Sequence, residues 1–467
     1  MSDETTALTV LFTEFYYWVM IVLMFLIKVG FCVYEVAVSR YKNRLHTLMQ
    51  VTMHIPLVTL GFFFFGWWIY FAFSNGPGIT GGLISAPWAL PWSELMGPHL
   101  GGPPASDALT ADDTATWSRL NGVFWGAFLL FSWTVAAIVS SATIERIRSN
   151  AFWILAVLIG CFLWIIDASW GWHPDGWMVQ ILGYHDAYAS GVIHAIAGGF
   201  SLGVLIPLGQ RIGRFRPDGT ARDIPPHDPW FATVGLFIIF TGFWGFYAAC
   251  NVPMMDIQAG EGVSFSATNI YLGPTTLSAI TFNFLLSLSG GFMAGYLISR
   301  GDPFWTYSCA LAGVISASAG NDLYHPLQAM LIGAAGAVIA YKMHYWVENR
   351  FKLDDGVGAV AVHGYAGCFG VIIAGFVLWG YPASPNPDYA VITPWGQIGG
   401  AFIMFFVLGF LPAFIVANIM KKFGVLRIPE AIEIKGMDVG QEIAAEHAAK
   451  EVADAERAYQ AAHGLGG

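Results

Sequence analysis

Charged residues are scarce in this sequence of 467 residues. Asp, Glu, Lys and Arg together make up only 11 % of the chain, whereas hydrophobic residues make up 56 % and aromatic residues 16 %. A typical soluble domain is about 25 % charged, so too few charges are present to cover a soluble protein of this size. The composition excludes a soluble multidomain enzyme and a disordered protein, and it predicts an integral protein of the lipid bilayer.

A basic surface and paired cysteines are lacking as well. The 21 Lys and Arg are outnumbered by 31 Asp and Glu, so the net charge of −10 predicts no nucleic-acid partner. The five cysteines show no metal or redox spacing, which predicts buried thiols, and neither a metal nor an organic cofactor is expected. Because no HExxH motif and no pair of catalytic carboxylates within an apolar run is present, an enzyme is not expected.

Long apolar runs recur along the chain. Eleven of them have the roughly 18 to 25 residues that a helix needs to cross a bilayer, and none alternates apolar with polar residues as a membrane strand does. The sequence therefore predicts an all-α polytopic membrane protein with eleven transmembrane helices. The predicted spans are residues 10–37, 48–74, 120–143, 151–172, 188–209, 229–250, 272–299, 304–320, 324–346, 357–380 and 396–420.

The basic residues follow a regular distribution along these spans. They cluster after every odd-numbered span, whereas Arg119 is the one basic residue in the alternate connections. Because Lys and Arg accumulate in short cytoplasmic loops, this alternation predicts an N-terminus outside and a C-terminus in the cytoplasm. We expect a multi-pass protein of the plasma (inner) membrane.

Two segments that lie five spans apart share one pattern. Asp186 precedes His194 by eight residues, Asp355 precedes His363 by eight, and small residues with a glycine follow each histidine. An odd offset sends the two segments through the membrane in opposite directions, which is the signature of an inverted repeat. At about 1.5 Å per residue each histidine lies about 12 Å beyond its aspartate. The pattern predicts that the two histidines meet near the bilayer midplane.

The repeat also divides the chain into parts. Residues 1–210 form the first half with helices 1–5, and residues 211–392 form the inverted second half with helices 6–10. Residues 393–425 form the eleventh helix, and residues 426–467 form a cytoplasmic tail whose Ala-rich part predicts a short helix.

Each residue of the repeated pattern also has a simpler interpretation. An aspartate at a helix start usually caps the helix, and we expect this role for Asp186 and Asp355. A lone histidine in an apolar helix is usually a core residue, but two at the midplane indicate function because ionisable groups are costly there. Haem ligation by His194 and His363 is the main alternative, although nothing else supports a porphyrin pocket. Zinc lacks a third ligand in register.

Several short motifs resemble the ammonium transporters of the Amt/Mep/Rh family, and the resemblance extends from about residue 14 to 440. It implies a homotrimer with a narrow hydrophobic pore in each subunit, lined by His194 and His363 and gated by two stacked phenylalanines, Phe131 and Phe246. It places the aromatic wall of an external cation site at Trp170. It also implies a PII-type regulator at the cytoplasmic face. The matching motifs are RYKN at 40–43, ERIR at 145–148, residues 186–194, GFWGF at 242–246, LDDGVGAVAVHG at 353–364 and RIPE at 427–430.

The sequence departs from the family pattern mainly around the outer site. Cys250 stands where the family has Ser, and Tyr247 stands where Amt proteins usually have Asn. Asp167 is added three residues before Trp170, where it either adds charge to the site or is a solvated residue. The family's Tyr-Gly-Gly segment reads Tyr34–Ala37, and the connection 171–185 gains Trp172 and Trp177.

The expected mechanism combines capture, deprotonation and conduction. Ammonium is captured at the outer aromatic cup, loses its proton near Phe131 and Phe246, and passes inward as ammonia along the two histidines. Asp186 supports the vestibule, and the proton either follows or stays behind. A transporter of methylated or larger amines and a non-conducting ammonium sensor remain alternatives.

Overall fold

The structure, a computed structural model, describes residues 3–97, 113–258 and 262–463. The helices in this part of the chain are α1 (Asp3–Val38), α2 (Tyr41–Ala72), α3 (Asp113–Thr143), α4 (Ser149–Gly171), α5 (Trp177–Leu182), α6 (Ser190–Leu208), α7 (Pro229–Ala249), α8 (Leu277–Ser299), α9 (Pro303–Ala317), α10 (Pro326–Phe351), α11 (Val360–Val377), α12 (Pro394–Lys422), α13 (Glu430–Lys435) and α14 (Val439–Ala462).

Ten helical segments among the described residues are long and apolar enough to cross a membrane. They are α1 to α4, α6 to α8 and α10 to α12, so the prediction of an all-α polytopic membrane protein is confirmed. The predicted span 304–320 corresponds to the shorter α9 and the 3₁₀ turn Ser318–Gly320, most of which is buried inside the bundle. The count of eleven membrane helices is consistent with this arrangement and stays a prediction.

A small antiparallel sheet joins α7 to α8, although the apolar pattern of the sequence predicts no strand there. Its strands are β1 (Asn251–Gln258), β2 (Gly262–Asn269) and β3 (Pro274–Thr275), in the order β1-β2-β3. We call the side of the bundle that carries these strands the hairpin face, and the side that carries α13 and α14 the tail face. Residues 98–112 of the Gly- and Pro-rich connection 75–118 lie outside the described residues.

The helix contacts agree with an inverted repeat. Each half contributes an equivalent helix to two central pairs, in which α1 packs on α7 and α6 packs on α11. Glycines bring the first pair together: a Cβ on Gly235 would lie 2.6 Å from the backbone nitrogen of Tyr34, and one on Gly242 2.6 Å from that of Ile27. Small residues at such crossings let membrane helices approach closely.

A buried ion network ties the two halves together at the tail face. Arg211, which follows α6, binds Asp354 at 2.9 Å and Glu145 at 3.1 Å. Burial favours the neutral form of Asp354, but Arg211 and Arg146 hold the pKa of its carboxyl group well below its usual range. The ERIR and LDD motifs of the sequence therefore supply partners in one network, immediately beside the start of α11.

The first part of the tail is docked against the membrane helices. Glu433 of α13 accepts a hydrogen bond from Arg427 at 2.7 Å and another from the backbone nitrogen of Ile212 at 2.7 Å. Asp438 accepts the backbone N–H groups of Leu45 and His46 at 2.9 Å each. The predicted Ala-rich tail helix is present as α14.

Candidate pore site

Helices α6 and α11 cross at the centre of the bundle. Each opens with a wide π-helical turn of six residues, Ser190–Ala195 in α6 and Val360–Tyr365 in α11. A Cβ on Gly198 would lie 2.2 Å from Cα of Gly364, and one on Gly367 would lie 2.3 Å from a backbone oxygen of α6. Only glycine at these positions allows the two backbones to touch.

Asp186 and Asp355 cap the two wide turns. Asp186 accepts the backbone N–H groups of Ser190, Gly191 and Val192 at 2.7, 2.7 and 2.9 Å. Asp355 accepts two backbone N–H groups of α11, at 2.9 and 3.3 Å. Burial raises the pKa of both carboxyl groups, that of Asp355 to about 7, although the backbone donors oppose the rise. The expected capping role is therefore present in both halves.

His194 and His363 meet at the crossing, as the repeat predicts. Their Nδ1 atoms lie 3.0 Å apart, and the ring planes are inclined by only 21°. Both rings are buried, with exposed fractions of 1 % and 5 %. In such a contact one Nδ1 donates and the other accepts, so neutral rings would hold different tautomers.

A column of aromatic rings extends from this pair toward the hairpin face. The ring centroid of Phe246 lies 6.0 Å from that of His194. Phe131 meets Phe246 edge to face at 4.8 Å, and Trp172 lies 5.1 Å from Phe131. These rings are fully buried. The two phenylalanines predicted as a gate thus contact each other and cover the histidine pair with apolar surface.

The tryptophans at the end of α4 differ in position. Trp170 packs edge to face on Trp177 at 5.6 Å, whereas Trp172 contacts Phe131. The indole nitrogen of Trp172 also donates to the carbonyl oxygen of Asp186 at 2.7 Å. Trp172 therefore connects the aromatic column with the cap of α6, whereas Trp170, the expected aromatic wall of the external cation site, packs away from Phe131 on Trp177.

Two further predicted residues are buried near the hairpin face. The thiol of Cys250 donates to the carbonyl oxygen of Phe246 at 3.3 Å, one helical turn earlier. Asp167 is fully buried, which contradicts the alternative of a solvated residue. Neither of its carboxylate oxygens has a hydrogen-bond partner among the described residues. Tyr247, the second departure from the family pattern, donates or accepts a hydrogen bond with Ser318 at 2.6 Å.

A small cavity continues from His363 toward the tail face. Its volume is about 20 Å³, and its lining includes Tyr34, Ser141 and Ser308. A space of this size holds about one molecule as small as water. Val357 lines this cavity and also a chamber of about 310 Å³ on the tail face.

Sequence reasoning missed Trp172 and the serines of the inner cavity as site residues. The available signal was a second tryptophan two positions beyond Trp170, and a serine inside each of the apolar helices α3 and α9, Ser141 and Ser308. One serine pattern has no catalytic context: Gly199–Gly203 fits GxSxG, but it lies inside α6, whereas a nucleophile elbow joins a strand to a helix. Within the described ranges, no cluster of three or more His, Cys, Asp or Glu could hold a metal ion.

A helical bundle that crosses the bilayer many times around a buried column of aromatic and imidazole rings is the architecture of a membrane transport protein. The sequence profile of the Ammonium Transporter Family matches residues 14–447, and the chain belongs to this family.

Individual relatives agree with this assignment. The chain is 28 % identical over 451 residues to Ammonium transporter Amt2 of Archaeoglobus fulgidus, covering 91 % of this chain and 85 % of the relative. It is 25 % identical over 418 residues to Ammonium transporter Amt1 of Methanocaldococcus jannaschii, covering 89 % and 92 %. The solved structure named Sensor Amt Protein has the same fold, with a TM-score of 0.73, 20 % identity and coverage of 93 % and 98 %. Candida albicans Mep2 gives a TM-score of 0.65 at 17 % identity, covering 90 % and 86 %.

Proposed function

We propose that this protein transports ammonium or ammonia across a membrane along the column that leads to His194 and His363. The observation that carries the proposal is the 3.0 Å contact between their Nδ1 atoms at the central helix crossing of a chain from this family. The imidazole pair offers a hydrogen-bond donor and an acceptor to a small neutral molecule. It supplies no fixed charge that would hold an ion.

Selectivity follows from the cost of moving charge through apolar surface. A bare ion in such a path loses several kcal/mol of hydration. For an amine of pKa about 9, deprotonation at pH 7 costs only about 3 kcal/mol. Potassium has no proton to lose, so the buried gate of Phe131 and Phe246 rejects potassium more strongly than ammonium.

The capture site lies at the hairpin-face end of the column. Trp172 supplies the aromatic wall beside Phe131, and a cation held on such a ring gains about 0.5 to 2 kcal/mol. Asp167 adds a buried carboxylate to this region, and Cys250 replaces a stronger oxygen acceptor with a thiol. Trp170, packed on Trp177, serves the outer mouth. Asp186 supports the site through the cap of α6.

The orientation, assembly and regulation belong to the same proposal. The accumulation of Lys and Arg on one side supports a cytoplasmic tail face, an external hairpin face and residence in the plasma (inner) membrane. The resemblance to the family supports a homotrimer with one pore in each subunit. A PII-type regulator would bind at the tail face. The proposed transporter has four parts, which are the halves 1–210 and 211–392, the helix within 393–425 and the tail 426–467.

The test is transport by the purified protein in proteoliposomes, with ammonium uptake and ammonium-evoked current measured together. We expect uptake well above that of empty liposomes, no comparable flux of potassium, and weaker competition by methylated amines than by ammonium. Stronger competition by a methylated amine would establish the larger-amine alternative instead. Saturable ammonium binding without any uptake would establish a sensor and overturn the proposal.

A further inference from the structure

The chamber on the tail face has the properties of a second site, separate from the histidine pair. It has a volume of about 310 Å³ and lies beyond the small cavity below His363, with Val357 lining both. Its lining includes Asp355, His344 and the indole of Trp305. The chamber therefore lies next to the small cavity, on the tail-face side of the histidine pair.

Two polar atoms in the chamber wall have no hydrogen-bond partner among the described residues. They are Oδ1 of Asp355 and Nδ1 of His344, whose residues are only 6 % and 7 % exposed. Oδ2 of Asp355 is occupied by backbone N–H groups of α11. His344 Nδ1 lies 3.9 Å from this oxygen, beyond hydrogen-bond distance. Unpaired buried acceptors are costly, so this pair of atoms indicates a ligand with N–H donors.

The remaining charges of the chamber favour a cation. Three carboxylates and one guanidinium line it. The guanidinium, that of Arg214, binds Glu348 and the carbonyl oxygen of Arg222, so its charge is engaged elsewhere. Asp302 caps α9 by accepting the backbone N–H of Trp305 at 2.8 Å, and Asp223 is 99 % exposed at the rim. Of the three carboxylates that line the chamber, Asp355 is therefore the buried one that faces the chamber interior.

An aromatic surface lies beside that carboxylate. Trp305 contacts the ring of His344 at 4.8 Å, and its indole nitrogen donates to Tyr345 at 2.9 Å, which fixes the ring. Gly358 lies beneath it with a φ of +72°, where a Cβ would approach the Trp305 ring to 3.1 Å. A carboxylate beside an indole is a suitable environment for a small monovalent cation that also donates hydrogen bonds.

We propose that the tail-face chamber is a second binding site for ammonium, held by Asp355 Oδ1 and the Trp305 ring, with His344 Nδ1 as a hydrogen-bond acceptor. The inverted repeat supports this assignment, because Asp355 is the counterpart of Asp186 and each lies at the mouth opposite the other. The proposal rests on the proposed function only for the identity of the cation.

The test uses thallium(I), a monovalent cation with strong anomalous X-ray scattering, soaked into crystals of the full-length protein. We expect an anomalous peak between Asp355 and Trp305 that ammonium displaces and sodium at the same concentration does not. Asp355→Asn keeps an oxygen for the backbone N–H groups but loses the charge, and it should weaken thallium binding about tenfold or more. The matched control Asp223→Asn, at the solvated rim, should retain the peak.

The possible outcomes allow the second site and the proposed transport function to be judged independently. Absence of a peak in the wild-type chamber overturns the second site even if the protein transports ammonium. Equal displacement by sodium, or an undiminished peak in Asp355→Asn, overturns it as well. A peak that ammonium displaces in a protein without transport supports the chamber site while the proposed transport function fails. Because the wild-type crystal decides the first question, the test does not depend on the folding of a variant.

Discussion

Gly198 of α6 and Gly364 of α11 lie so close that a Cβ on Gly198 would be 2.2 Å from Cα of its neighbour. This contact fixes how the two helices cross, and the crossing in turn sets the 3.0 Å separation of the histidine nitrogens. The position of the histidine pair therefore depends on residues that carry no chemistry of their own.

We expect Gly198→Val to separate the helices or prevent folding, because the nearest atoms are backbone and cannot move aside. Overpacking of a buried site typically costs about 1 to 3 kcal/mol or more. The measurement is the yield of monodisperse protein in detergent and its thermal midpoint. Gly122→Ala is the matched control, since nothing lies within 4 Å of its new Cβ. Equal stability of the two variants would contradict the close crossing.

Removal of either pore histidine should reduce transport. We expect His194→Ala and His363→Ala each to lower ammonium flux in proteoliposomes about tenfold or more, equivalent to about 1.4 kcal/mol of barrier. The control His54→Phe replaces a buried histidine that packs against Phe152 at 5.8 Å. It should transport at the wild-type rate. Wild-type flux in both pore variants would remove the histidines from the conduction path.

Opening the aromatic gate should increase leakage. Phe131→Ala removes the ring that meets Phe246 at 4.8 Å, so water should reach the histidines. The folded state should lose about 3 to 5 kcal/mol, which is typical of a buried Phe→Ala change. Stopped-flow light scattering of proteoliposomes measures the expected rise in water permeability. Phe64→Ala, in a side chain that is 53 % exposed, is the control and should leave permeability unchanged.

The two tryptophans of the outer region make a matched pair. We expect Trp172→Leu to raise the half-saturating ammonium concentration about 2- to 30-fold, as expected for the loss of one cation–π contact. Trp170→Leu should have the smaller effect, because Trp170 packs on Trp177 instead of Phe131. Saturation curves for ammonium uptake provide the measurement. The reverse order would restore Trp170 as the wall of the capture site.

A buried histidine–aspartate pair near the hairpin face should make stability depend on pH. Burial favours neutral His185, but Asp322, 3.1 Å from its Nε2, raises the pKa of the imidazole above its ordinary value. A raised histidine pKa stabilises the fold fully below about pH 6.5, the unfolded value, and this stabilisation is lost as pH rises through the folded value.

We therefore expect the thermal midpoint in detergent to fall as the pH increases from about 6. Asp322→Asn should flatten this dependence, because it removes the charge that favours imidazolium. Asp218→Asn changes an exposed carboxylate whose pKa is lowered, so its charge is constant over the range and it is the control. A wild-type midpoint that does not vary between pH 6 and 9 would contradict the role of the pair.

Periodic and symmetric features were accessible from the sequence. The apolar runs predicted most membrane helices, since a bilayer requires long uninterrupted apolar segments. The equal spacing of Asp186 to His194 and Asp355 to His363 predicted which helices meet, because an inverted repeat relates them by approximate two-fold symmetry. This prediction concerned the relation between His194 and His363, and the structure contains the predicted contact between them.

Features that depend on long-range contacts were not accessible. Arg211 reaches Glu145 and Asp354, which are 66 and 143 residues away, and a single sequence gives no sign of such partners. The hairpin β1–β2 lies in the connection between α7 and α8. The apolar periodicity of this connection is much weaker than that of the neighbouring helices, so the strands could not be predicted. Trp170 and Trp172 are two positions apart in the sequence. To predict which of them contacts Phe131, the exact residue at which α4 ends would have to be known.

The wide turns at the start of α6 and α11 constrain the number of residues between each aspartate and its histidine more than they constrain the residue types there. An α-helix rotates by about 100° per residue. Deleting one residue between Asp186 and His194 would swing the imidazole away from Phe246 and its partner ring, whereas many side-chain changes at lipid-facing positions would not. Natural or engineered insertions and deletions should therefore be excluded from both eight-residue intervals.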